Sequence, residues 1–174
     1  KSYNIFILDN FSNSKKKNIE FLEKKYNKFK KNFYFFEKDI KSYDAIKSIF
    51  NYASSINKPI DAVIHFAGLK SVAESIDKPL IYWENNVVGS INLFNVMDKF
   101  NCNNIIFSST ACVYGKKNIA PYPEDSIINP ENPYGHTKST VESILINLFE
   151  SNPEKWNIGI LRYFNPIGSI PYYC

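Results

Sequence analysis

Short apolar runs alternate with longer helical patterns from one end of this chain to the other, and that alternation narrows the available folds most. Tyr3-Asn4-Ile5-Phe6-Ile7-Leu8 reads as a buried strand ending at Asp9-Asn10. Ile19, Leu22, Tyr26 and Phe29 then recur at helical spacing among lysines. Residues 32–36 are strand-like, and Ser42 is placed to cap a helix with Ile46, Ile49, Phe50 and Ala53 inside. Residues 61–68 form a strand running into a Gly-containing turn. A long helix is predicted after Pro79, burying Leu80, Trp83, Val87, Ile91 and Phe94. Residues 104–109 make another strand with a polar end. Asn132-Pro133 opens a helix with Pro at its favoured first position and a stripe of Val141, Ile144, Leu145, Leu148 and Phe149. Residues 156–164 supply the last strand.

Strands separated by helical segments build βαβ units, so the expected class is α/β: a doubly wound, mostly parallel sheet with helices on both faces. Neither repeats nor a low-complexity linker divides the 174 residues, which read as one domain. In such sheets ligands sit beyond the carboxyl ends of the strands. Asp9, Asp39, Phe66-Ala67-Gly68, Ser108-Ser109-Thr110 and Phe164-Asn165 all fall there. Five polar or turn-forming ends in step argue for a single crevice. Residues 110–133 are the one long irregular segment, and loops beyond about 12–15 residues in a compact domain are usually functional.

The formal charge is +4, yet of 21 basic residues only Arg162 is Arg. Asn, Ile, Phe and Tyr are also abundant, and AT-rich codons encode these together with Lys. Arg, the preferred reader of phosphates and bases, is nearly absent, so nucleic acid is not expected as a partner. No apolar run approaches the roughly 20 residues that span a bilayer, and no signal peptide is visible. Three cysteines (Cys102, Cys112, Cys174) with no paired spacing fit neither a disulfide framework nor a zinc site; a cytoplasmic protein is expected.

Tyr134 and Lys138 carry the sharpest local signal. Four residues apart near a helix start, they project from one face. A nearby ammonium favours the phenolate and brings a phenol, ordinarily near pKa 10, toward use as a base. By spacing alone the pair also reads as a packed Tyr beside a solvated Lys. It follows a strand whose Thr110 hydroxyl can share a substrate oxygen with the phenol or simply bond its own backbone. Asp9 either caps a turn with Asn10 or accepts hydrogen bonds from ribose hydroxyls. Lys70 is placed to reach a cofactor or to be solvated, and Asn85 and Asn86 sit mid-helix where Asn is a poor helix former. The six glycines include no G-x-G-x-x-G; that fingerprint precedes its acidic residue by about 20 positions, which from Asp9 falls before Lys1.

Taken together, Ile7 to Ser14, Val63 to Ser75, Tyr82-Trp83-Glu84-Asn85-Asn86-Val87, Phe107 to Gly115, Pro133-Tyr134-Gly135-His136-Thr137-Lys138 and Leu161 to Gly168 resemble the nucleotide-binding part of the UDP-glucose 4-epimerases (UDP-galactose 4-epimerases), a family of extended short-chain dehydrogenase/reductases. The resemblance implies a Rossmann-like, NAD-binding domain and epimerisation of UDP-glucose and UDP-galactose through a 4-keto sugar. It implies that Asp9, Asn10, Asn13 and Ser14 hold the adenosine ribose, that Asp39 and Ile40 bracket adenine, and that Phe66, Ala67, Gly68, Lys70 and Asn85 line the cofactor. Tyr134 is then the catalytic base, Lys138 its electrostatic partner on the nicotinamide ribose, and Thr110 the catalytic hydroxyl. Phe164 packs near the nicotinamide, and Asn165 meets the sugar nucleotide. Dehydratases of the same fold resemble this pattern with an Asp-Glu pair after the Thr, where this chain has Ala111-Cys112. The resemblance further implies a homodimer paired through the helices after Pro79 and Pro133. It also implies a fragment, inactive alone, lacking the glycine-rich unit and the C-terminal uridine-binding portion.

Overall fold

The computed structural model describes residues 3–25, 32–117 and 119–168. Five strands are present: β1 (Ile5–Asp9), β2 (Phe33–Glu37), β3 (Ala62–His65), β4 (Asn104–Thr110) and β5 (Asn157–Tyr163). Every pairing is parallel, as the alternation requires. The strands form two ribbons, β1-β2 and β3-β4-β5, with no ladder joining them among the described residues. Helices α1 (Lys16–Lys25) and α2 (Tyr43–Ser55) flank β2 in the chain. The short helices α3 (Val72–Asp77) and α4 (Pro79–Tyr82) follow β3, and α5 (Gly89–Lys99) and α6 (Pro133–Ser151) flank β4.

Local chemistry explains the helix starts. The Ser42 hydroxyl accepts from the Ala45 amide at 3.2 Å, and Asn132 Oδ1 accepts from the Gly135 amide at 2.8 Å ahead of Pro133. Ser71 caps α3 in the same way, through the Glu74 amide, the first half of a Ser-x-x-Glu signature that patterning overlooked.

Ile46, Ile49, Phe50 and Ala53 of α2 are buried as predicted. They join a core with Leu93, Phe94, Val96 and Met97 of α5, Ile105 and Phe107 of β4, and Val141 and Leu145 of α6. The β1-β2 ribbon is fastened to this core just beyond β2. Ile40 is buried so tightly against Gly89 that a Cβ there would fall 2.8 Å from Ile40 Cγ2, and Asn92 donates to the Lys41 carbonyl at 2.8 Å. Positions Tyr26 and Phe29 of the first expected stripe lie outside the described residues.

The helix expected after Pro79 departs from its sequence pattern. Between α4 and α5 the backbone runs as a π-helical turn, Trp83–Val88, whose extra residue rotates the following face. Tyr82, Asn86, Val87 and Ser90 are among the buried positions, whereas Leu80, on the short α4 ahead of the turn, is 80% exposed, and Trp83 and Ile91 face outward. The apolar spacing assumed an uninterrupted 3.6-residue period. On α6 the same correction is milder: Val141 and Leu145 are buried, but Phe149 faces out. Helices of the described chain cover one face of β3-β4-β5; on the other face Ile64 is 61% exposed, with Ile106 and Leu161 open beside it.

At the centre of the core His65 is buried between Phe94 and Phe107 and shares a 2.8 Å hydrogen bond with the Ser90 hydroxyl. The one hydroxyl proton of Ser90 goes to the Asn86 carbonyl, so His65 donates through Nε2. Burial first, and the nearby Lys138 charge second, push His65 from 6.5 down to about 3. The unfolded chain thus binds a proton between pH 6.5 and 3 that the folded chain refuses, and stability falls as pH drops through that window. Relative to a His65→Gln variant, the wild-type chain is expected to lose about 2 kcal/mol between pH 7 and pH 5. Urea unfolding at the two pH values checks this; parallel slopes for both proteins refute it.

Candidate active site

The carboxyl end of β4 and the first turns of α6 meet at one place. Thr110 is the last residue of β4, Tyr134 lies in the first turn of α6, and Lys138 one turn on; all three are buried. The Thr110 hydroxyl accepts from the Cys112 amide at 3.2 Å, and its proximity to the Tyr134 phenol favours the ionised form. Thr110 thus bonds its own backbone at the end of β4.

Lys138 is only 5% exposed. Its amine donates to the Ser108 carbonyl at 2.8 Å and lies 4.7 Å from the centre of the Phe107 ring. Burial lowers its pKa from 10.5 to about 8, against the pull of Glu142. The expected influence of Lys138 on Tyr134 is not what sets the phenol in this chain. Burial raises the Tyr134 pKa above 10, the Thr110 hydrogen bond opposes it, and Cys112 adds to the rise. A solvated Lys beside a packed Tyr is excluded, because the amine points inward.

Gly68 faces this pair from the loop after β3. A Cβ at Gly68 would lie 3.4 Å from both the Lys138 amine and Asn86 Oδ1, filling the space in front of the amine. Of the two mid-helix asparagines, Asn86 is the buried one. The Leu69 amide donates to its Oδ1 at 2.8 Å; its own amide donates to the Leu69 carbonyl at 3.0 Å and to the Thr137 hydroxyl at 3.1 Å. One side chain thus ties the Gly68 loop to α6 beside Lys138. Asn85 is half-buried and donates to Asn86 at 3.0 Å. The signal for Asn86 was its place in a helix it does not favour; only the π-helical turn decides which of the two asparagines points inward.

A second cluster forms where β1 and β2 end. Asp9 Oδ1 accepts from the Phe11 amide at 2.8 Å and the Ser14 hydroxyl at 2.9 Å. Asn10 donates to Asp39 at 3.1 Å, which also accepts from the Lys41 amide at 2.8 Å. Phe11 adopts φ 55°, which turns the chain back over these carboxylates. Ile40, expected beside adenine, directs its side chain into the core, which leaves its backbone to border a base. Asn13, Phe66, Lys70, Phe164 and Asn165 are exposed, Ala67 packs against the core, and Phe164 stacks with Tyr122. These groups fit a dinucleotide: paired carboxylates in a hydroxyl-rich corner suit a ribose diol and repel a 2′-phosphate, and the open face of Gly68 admits a ring next to Lys138.

Sequence reasoning missed a third cluster. Glu142, buried one turn beyond Lys138, forms an ion pair with Arg162 of β5 at 2.8 Å and accepts from the Ser109 hydroxyl. Each residue alone reads as an ordinary charged or polar position; the pairing joins residues distant in sequence.

Burying an ammonium costs stability, and the sign follows from its pKa. The folded amine releases its proton near 8 and the unfolded one near 10.5, so the cost is full below pH 8 and relieved between 8 and 10.5. A Lys138→Met chain is expected to be more stable than wild type by roughly 1–2 kcal/mol at pH 7, the lost Ser108 hydrogen bond taking part of the gain. Its margin shrinks as pH rises from 8 to 10.5. Thermal unfolding across that range decides; a margin independent of pH contradicts the assignment.

The family model for GDP-mannose 4,6 dehydratase matches residues 1–170. The chain is 40% identical over 169 residues to UDP-glucose 4-epimerase 2 of Arabidopsis thaliana, covering 97% of this chain and 47% of that protein. It is 41% identical over 168 residues to the bifunctional UDP-glucose 4-epimerase and UDP-xylose 4-epimerase 1 of Pisum sativum, with 96% and 46% covered. The crystal structure of UDP-glucose 4-epimerase from Bifidobacterium longum in complex with NAD+ and UDP superposes with a TM-score of 0.84 at 36% identity, covering 97% of this chain and 48% of that one. The chain spans about half the length of these curated relatives.

Proposed function

The chain belongs to the GDP-mannose 4,6-dehydratase family, and from that footing we propose that its protein interconverts UDP-glucose and UDP-galactose by NAD-dependent 4-epimerisation, in galactose metabolism. The placement of Thr110 at the end of β4, with Tyr134 and Lys138 on the first turns of α6 and Gly68 open before the Lys138 amine, carries this reading. The epimerases among its relatives support it over dehydration, for which Ala111 and Cys112 offer no acid–base pair after Thr110.

NAD, when bound, supplies a hydride acceptor and donor at the sugar's C4. Tyr134 takes the 4′-hydroxyl proton and later returns it, with Thr110 sharing the same oxygen through its hydroxyl. A phenol raised by burial needs a cation to act as a base; with the Lys138 amine held on the Ser108 carbonyl, bound NAD would bring the positive charge of its nicotinamide ring. Asp9 would hold ribose hydroxyls, Asp39 the adenine edge, and Lys138 and Gly68 the nicotinamide end. Because the 4-keto sugar must present both faces, Tyr134 and Thr110 act on the shared oxygen rather than on the rest of the ring. With UDP-galactose and full-length protein, Tyr134→Phe is expected to reduce kcat at least about 100-fold while NAD remains bound. An assay for UDP-glucose, alongside cofactor absorbance, tests this; near-normal turnover places the base elsewhere.

A homodimer belongs to the same proposal. Ile81, Val88 and Ile91 form an exposed apolar stripe along the stretch after Pro79, and Ile146 and Phe149 stand exposed on α6. Such a face, unlike scattered surface apolar residues, is what a subunit interface covers. No helix among the described residues is long and apolar enough to cross a membrane. The two described cysteines are free thiols, in keeping with a cytoplasmic setting. Sedimentation of the full-length protein is expected at twice the protomer mass, and Ile81→Asp with Val88→Asp is expected to shift it to one; a wild-type monomer refutes the pairing.

A further inference from the structure

The single arginine of the chain is spent at one point. From β5, Arg162 reaches Glu142 with Nε at 3.1 and 3.2 Å and with Nη2 at 2.8 Å. Its other terminal nitrogen donates to the Glu124 carbonyl at 2.7 Å and the Tyr114 hydroxyl at 3.0 Å, and the guanidinium lies 5.0 Å from the centre of the Tyr114 ring. One planar group therefore joins α6 and β5 to two places in the irregular segment 111–132. Bonds within that segment close it only on itself: the Asn129 amide donates to the Val113 carbonyl at 2.9 Å, and Lys116 pairs with Glu131 at 3.2 Å. Three aromatic rings meet where the arginine pins the segment. Tyr114 lies 5.5 Å from Tyr122 and 6.3 Å from Phe164, and Tyr122 stacks on Phe164 at 6.1 Å. Phe164 is 58% exposed, so the group has an open side at the end of β5.

We propose that Arg162 is a positioning residue that fastens segment 111–132 across the carboxyl ends of β4 and β5, fixing Tyr114, Tyr122 and Phe164 as an aromatic wall of the sugar-nucleotide site beside Thr110. The substrate half of this statement rests on the epimerase reading; the fastening of the segment does not. Lysine cannot substitute. An ammonium can hold Glu142, but it is a point charge and cannot also reach the Glu124 carbonyl and the Tyr114 hydroxyl in one plane. Tyr134, Thr110 and Lys138 are held by their own partners, so loosening the wall weakens binding more than chemistry.

The test uses full-length protein carrying Arg162→Lys, which keeps a charge for the buried Glu142, and separately Tyr114→Phe, which removes the hydroxyl that accepts from Arg162 and keeps the ring. In cofactor-free protein, amide hydrogen exchange in residues 114–128 is expected to quicken about tenfold or more in Arg162→Lys, while residues 141–149 of α6 stay within about twofold. KM for UDP-galactose should rise about tenfold with kcat within about threefold, and Tyr114→Phe should fall between the two proteins on both measures. Unchanged exchange in 114–128, or an equal rise in both regions, overturns the proposal, as does a loss confined to kcat. Should the wild-type protein not interconvert the sugars, the epimerase reading fails, and the exchange comparison alone decides the role of Arg162.

Discussion

Helix α6 buries a row of polar side chains, Tyr134, Thr137, Lys138 and Glu142, where an ordinary amphipathic helix would bury apolar ones. A buried polar group is tolerated only with a partner, so each of the four dictates a neighbour. Tyr134 is met by Thr110, Thr137 by Asn86, Lys138 by the Ser108 carbonyl, and Glu142 by Ser109 and Arg162. Those partners come from β4, the π-helical turn and β5. The requirement to satisfy one helix face thereby sets how the carboxyl ends of the strands are arranged.

The same requirement accounts for the local irregularities. A π-helical turn is a less regular backbone than an α-helix, yet at Trp83–Val88 it brings Asn86 inward, where it completes the backbone bonding of Leu69. His65, neutral and paired with Ser90 beneath the site, adds no charge to an interior that already holds the Lys138 amine. The features that cost stability, a buried ammonium and a buried carboxylate, cluster within one turn of the residues assigned to chemistry, as a preorganised site requires.

The class and parallel pairing of the strands were legible because short apolar runs leave few alternatives, and strand ends fell within a residue or two of the pattern except at β3, which stops at His65. The caps at Ser42 and Asn132 were legible too, since their partners lie three residues away. Tyr134, Lys138 and Thr110 could be nominated as candidates, though not their bonding: the amine that spacing aimed at the phenol sits instead on a strand carbonyl. The face of the helix after Pro79 was misread at Leu80 and Trp83 because the stretch opens as a separate short helix, and at Ile91 because one inserted backbone residue shifts a period that counting assumes constant.

From its letters alone this chain determined that it must alternate strands with helices and place its hydroxyl, phenol and amine at strand and helix ends, because periodicity and capping act between near neighbours. Only the folded structure decided that Asn86 rather than Asn85 is the tie, that Ile40 turns inward, and that Arg162 meets Glu142 and segment 111–132. Those outcomes depend on which distant groups compete for the same buried partners, and no spacing along the chain records that competition.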